Sequence, residues 1–160
     1  MGEVDNEVLE KIEYGETEDG KKIEIIPDVP IDKKKRVFTF PLDGGFGFEA
    51  SPLTKHMKES LVVRLKVYTE AERLEITDIF MEIGATETKD VKTRNTLYRK
   101  YRLKSILYGI DSWNIKDGEG KDVPVTEENI LKLPSKVTQA LFEIISFINQ
   151  PIDKEELKNL

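Results

Sequence analysis

Cysteine is missing altogether from the 160 residues, and histidine occurs once, at His56. The first absence removes disulfides, thiolate nucleophiles and the usual zinc cages together. The second removes the paired arrangements through which histidine moves protons or activates a nucleophile. Carboxylates remain, but acid pairs such as Glu70 and Glu72 are explained by the electrostatics of a helix start rather than by a glycosidase-like dyad. No apolar run approaches the roughly 18 residues that cross a bilayer. The opening MGEVDNEVLEK is acidic where a secretory signal is basic and then apolar. The expectation is a non-enzymatic, cytoplasmic protein without membrane partner, cofactor or metal.

What is present is charge. Lys and Arg number 25 and Asp and Glu 31, for a formal net charge of −6. The two signs are segregated: residues 1–19 hold eight acids and one base, residues 87–104 seven bases and two acids. That asymmetry suits a partner, or lets the acidic arm lie near the basic helix of its own or a neighbouring copy.

The apolar pattern predicts an α+β fold: a small antiparallel sheet from the N-terminal half packed against C-terminal helices, behind a flexible acidic arm over residues 1–19. Residues 20–150 form the expected single domain, and 151–160 a charged tail. In the arm, Val4, Val8, Leu9 and Ile12 give a weak helical pattern ended by Gly15. Asp19-Gly20 makes a turn into the strand KKIEIIP; Arg36 to Phe40 is a second strand, and GGFGFE predicts its hairpin partner. Leu61, Val63, Leu65 and Val67 alternate along the clearest strand. Thr69 and Glu72 then form a capping box for a helix whose apolar stripe is Leu74, Ile76, Ile79, Phe80 and Ile83, with Gly84 at its C-terminal stop. Asp90 caps a longer helix to about Tyr108, stopped by Gly109. Trp113 to Val125 reads as a small hairpin or an extended crossing. Thr126 caps a short helix ending at Leu133, and Pro134-Ser135 restarts the chain as a helix carrying Val137, Ala140, Leu141, Ile144, Ile145 and Ile148. No internal repeat is evident.

Several segments with a chemical look reduce to structure. His56 lies in the polar stretch SPLTKHMKES and is read as an exposed loop residue. Asp43 to Gly47 is glycine-rich but lacks the spacing and lysine of a phosphate loop. Asp117 to Asp122 collects three acids without the ligand alternation or distal glutamate of a calcium loop, and is read as a hairpin turn. The helix 90–108 keeps its interest: Lys92, Arg94, Arg99, Lys100, Arg102 and Lys104, with Tyr98 and Tyr101 between them, have the makings of a surface for phosphates and bases. The acidic chain has no nucleic-acid motif, so a solvated or protein-contacting face is the favoured reading.

Ile110-Asp111-Ser112-Trp113-Asn114-Ile115, Asp117-Gly118-Glu119-Gly120-Lys121, Val123 to Asn129 and Leu133-Pro134, followed by a closing helix and the tail Glu155 to Asn159, resemble small proteins of long-tailed phages and prophages of the tail assembly chaperone type. The resemblance covers about a third of the chain and holds no catalytic signature; the N-terminal half has no counterpart in it. It implies binding without turnover: holding the long tape-measure protein soluble, or engaging tail-tube protein, while the tail polymerises. The partner-binding residues expected on this reading are Tyr98, Arg99, Arg102, Trp113 and Phe147, although for Trp113 a core role is the favoured reading. Alternatives are a virion structural protein (neck, completion or decoration), found in finished particles, and a nucleic-acid-binding module using helix 90–108. Homo-oligomers fit either assembly role.

Overall fold

The computed structural model of the chain describes residues 13–16, 22–25, 33–151 and 158, and the fold is α+β. Strands β1 (Glu13–Glu16) and β2 (Lys22–Ile25) form a two-stranded antiparallel ladder with Glu13 opposite Ile25. The strand expected at KKIEI is β2. Its pairing draws Glu13 to Glu16 into extended backbone where the sequence shows a weak helical pattern. The remainder of the expected arm, the Asp19-Gly20 turn and most of the charged tail lie outside the described residues.

The main sheet has the order β3-β4-β5, all antiparallel: β3 (Val37–Phe40), β4 (Leu61–Leu65) and β5 (Ile110–Trp113). Its third strand comes from the C-terminal half. Central β4 buries Leu61, Val63 and Leu65 and exposes Arg64, the alternation of a half-buried strand. The strand stops at Leu65, beside a register shift at Arg64/Leu65, and Lys66 donates instead to the carbonyl of Gly109. Val67, expected on the buried face, is therefore exposed.

The expected hairpin through GGFGFE is not formed. Gly45 and Gly47 take φ of 77° and 78°, a left-handed conformation that ends extended backbone, and Phe48–Ala50 make a 3-10 turn. Phe46 and Phe48 fold back on the sheet, with the Phe46 ring edge-on to Phe40 at 5.1 Å, and β3 pairs with β4.

Four helices follow: α1 (Glu70–Ala85), α2 (Val91–Gly109), α3 (Glu127–Leu131) and α4 (Ser135–Ile148). The capping box of α1 is complete: Glu72 N–H donates to Thr69 Oγ1 at 3.2 Å, and Thr69 N–H to Glu72 Oε1 at 2.9 Å. Asp90 and Thr126 cap α2 and α3 as the sequence predicts. Gly84 does not end α1. The helix runs to Ala85, and Thr86 closes it by donating both N–H and Oγ1–H to the Glu82 carbonyl.

Strongly amphipathic α4 lays Val137, Leu141, Ile144, Ile145 and Ile148 on the sheet, joining Phe38, Phe40, Leu61 and Val63 in one core. Each such side chain contributes roughly 1.5–3 kcal/mol by leaving water. Gly109 lets α2 approach α4: a Cβ there would lie 2.4 Å from Ile145 Cγ2. Of the two forms expected for the segment after β5, the hairpin is the one present, with Lys116 bridged to Asp122. Asp117 Oδ1 accepts the amides of Glu119 and Lys121 at 2.8 and 2.9 Å, which accounts for the acid cluster as turn chemistry.

Helix α1 packs mainly on α2. It buries Ile76, Ile79 and Ile83, spaced i, i+3, i+7, whereas Leu74 and Phe80 from the expected stripe are 48% and 54% exposed. With α2 its main neighbour among the described elements, α1 covers a narrower stripe than its sequence offers.

Candidate partner-binding surface

Helix α2 carries the basic run, and its surroundings divide those cations into two kinds. Lys104 is a structural brace. Its ammonium lies 2.7 Å from Glu127 at the start of α3 and 3.9 Å from Glu75 on α1, and the hydrogen bond with Glu127 raises its pKa above the ordinary lysine value. Tyr108, one turn on, donates to Glu75 as well, and that bond pushes its hydroxyl pKa up. Arg99 and Lys100 have no ion pair among the described residues, and Arg102 lies over the Phe142 ring at 5.9 Å.

Arg99, Lys100 and Arg102 stand along one wall of a groove of about 500 Å³ between α2, α3 and α4. Its floor is apolar and continuous with the core: Leu103, Ile106, Ile130 and Leu133. Ser135 and Thr138 form the far wall on α4, and Leu131, 72% exposed, stands at the lip. A row of cations with no ion pair among the described residues, above an apolar floor, suits a ligand that is both acidic and apolar, since the floor supplies anchoring area and the rim supplies orientation. The single histidine, His56, lies outside the groove, exposed in the turn at residues 52–56. Among the described residues no group of three or more His, Asp or Glu side chains is placed to hold a metal. Nor, among those residues, is any helix long and apolar enough to cross a membrane.

A second cavity, of about 700 Å³, lies beyond Leu131 and Leu133, between the 45–52 loop and the α3–α4 corner. Its cations are engaged. Lys132 pairs with Glu128 at 3.3 Å, Lys136 donates to the Gly45 carbonyl at 3.3 Å, and Ser51 Oγ donates to the Lys132 carbonyl. This cavity is a braced junction.

Of the five residues the sequence singles out, Arg99 and Arg102 meet in the groove. Tyr98 is 48% exposed on α2 but lines neither cavity. Trp113 is half-buried against the core, and its indole N–H is taken up by the Val123 carbonyl at 2.6 Å, pinning the 115–123 hairpin. Phe147, on α4, lies under the Lys33 ammonium at 5.4 Å, away from the groove. Sequence reasoning overlooked Leu131. In ENILKLP, Ile130 in α3 and Leu133 in the turn after it are buried at i, i+3 and leave Leu131 outside the stripe, which is the one signal for it. Asn114 was also passed over: Val62 N–H donates to its Oδ1 at 2.8 Å and its Nδ2 donates to the Ser60 carbonyl at 2.9 Å, so it holds the start of β4.

No protein family, curated protein or solved structure matches this chain.

Proposed function

We propose that this chain is a non-enzymatic binding protein whose contact surface is the cationic groove of α2, α3 and α4. The observation that carries this reading is the pairing of an apolar floor with Arg99 and Lys100, cations that no acid of the described fold neutralises. Exposed cations are usual on a solvated helix face; cations rimming an open apolar floor are the chemistry of a reversible protein contact. The C-terminal resemblance supplies the setting. The chain acts as a phage or prophage tail assembly chaperone, holding tape-measure or tail-tube protein during virion assembly and leaving before the particle is complete.

The test is capture by the tagged chain from cells expressing its native neighbouring genes, with bound proteins identified by mass spectrometry and bound nucleic acid assayed alongside. Recovery of a long tape-measure protein by wild type, and its loss with Arg99→Glu/Arg102→Glu, is the expected result. Retention in purified particles at fixed copy number would make the chain a virion structural protein instead. Capture of nucleic acid that falls steeply with salt would make the groove a phosphate-binding face.

A further inference from the structure

Helix α1 presents the complement of the groove. Leu74, Asp78, Met81 and Glu82, at i, i+4, i+7 and i+8, share its outward face. Leu74 and Met81 are large apolar side chains in water, Met81 with 66% of its surface exposed. Asp78 and Glu82 have no ion pair among the described residues, unlike Glu70, Glu72 and Glu75 on the same helix, which pair with Arg73, Lys66 and Lys104. The face is thus acidic and apolar where the groove is basic and apolar. Leu74 and Met81 lie seven residues apart, as do Arg99 and Ile106 along the α2 wall, a span of roughly 10 Å in each helix. The two surfaces cannot meet within one copy. Ile76, Ile79 and Ile83 hold the opposite side of α1 against α2, and the groove opens between α2, α3 and α4.

We infer that the groove takes α1 of a second copy: the chain associates with itself by seating the Leu74–Met81 face over the apolar floor, with Asp78 and Glu82 toward Arg99 and Lys100. The contact is an amphipathic helix laid in a groove, read by apolar anchors and oriented by charge. Because the two surfaces differ, a copy that offers its helix to one neighbour keeps its own groove for another, so association runs head to tail unless a ring closes. The inference rests on the groove being a binding surface and is independent of which phage protein, if any, it also binds.

Sedimentation velocity on the full chain over rising concentration tests it. Wild type is expected to gain mass with concentration, and added salt to reverse the gain. Asp78→Lys/Glu82→Lys and Arg99→Glu/Lys100→Glu should each weaken self-association at least about tenfold, since each places like charges in contact. All four positions are exposed, so melting temperatures near wild type establish that the variants are folded. An equimolar mixture of the two variants should recover a complex, because the intact helix face of one meets the intact groove of the other. A wild type that stays monomeric overturns the inference, as does a mixture that fails to associate. If that monomeric wild type still captures tape-measure protein through Arg99 and Arg102, self-association fails while the binding reading stands. Self-association with the swap pattern but no captured phage protein supports the inference and removes the chaperone reading.

Discussion

Helices α4 and α1 are similar in length and differ in what they leave uncovered. α4 buries five aliphatic side chains at helical spacing against the sheet and α2. α1 buries three isoleucines against one neighbour and leaves Leu74, Phe80 and Met81 in water. Local helix signals do not explain this, because α1 has the complete capping box whereas α4 starts at Pro134 without a side-chain cap. The difference is tertiary: α4 closes a core, and α1 is the outer member of a helical pair. Surface that is apolar, rigidly held and unpartnered is where a protein of this size meets others.

The largest expected effect is therefore in α4. Leu141→Ala removes a fully buried side chain and should cost about 3–5 kcal/mol, while Ile79→Ala on the α1–α2 seam should cost about 2 kcal/mol because that seam can relax. Denaturant titration of both variants checks the ranking, and equal costs would remove the distinction between the regions. Next is Gly109→Ala, expected to cost about 1–3 kcal/mol because the new methyl meets Ile145. A thermal melt close to wild type would mean that α2 and α4 separate more readily than their packing indicates.

Smaller effects sharpen the boundary between the two regions. Burial between α2 and the strand-to-helix turn holds the Tyr68 hydroxyl well above the ordinary tyrosine range, and it donates to the Ser105 carbonyl at 2.9 Å. Raised in the folded state, this group stabilises fully below its unfolded pKa of about 10 and progressively less as pH rises beyond it. Stability of wild type should thus fall above about pH 10. Tyr68→Phe should start about 1 kcal/mol lower and lose less over that window, read by unfolding at stepped pH. The smallest stability effect is that of Met81→Ser, within about 0.5 kcal/mol, because the side chain is already in water. A larger loss would show that the outer face of α1 is covered within the chain itself.

Much of the fold is legible in the sequence wherever local chemistry decides it. The Thr69, Asp90 and Thr126 caps rest on contacts three residues apart, and the alternation along Leu61 to Leu65 and the α4 stripe show as periodicity within one element. What is hidden depends on distant partners. Nothing near Val67 announces that the ladder ends two residues earlier, since that is set by Gly109 accepting the Lys66 amide. The glycines at 45 and 47 permit both a hairpin turn and the left-handed positions that send Phe46 and Phe48 back to the core. Arg99 and Arg102 stand out in the sequence as cations, but their apolar floor does not, because Ile130 and Leu133 reach it through the α3–α4 corner. Trp113 and Phe147 attract notice by size, and the structure gives each a contact outside the groove, with the Val123 carbonyl and the Lys33 ammonium.

The α2 cations are proposed to serve binding apart from stability. Capture of co-expressed neighbouring proteins by wild type and by Arg99→Glu/Arg102→Glu, with melting temperatures measured on the same preparations, tests that directly. The predicted result is a fall in capture of at least about tenfold, with melting temperatures within about 2 °C of each other. Equal capture by both chains would contradict it.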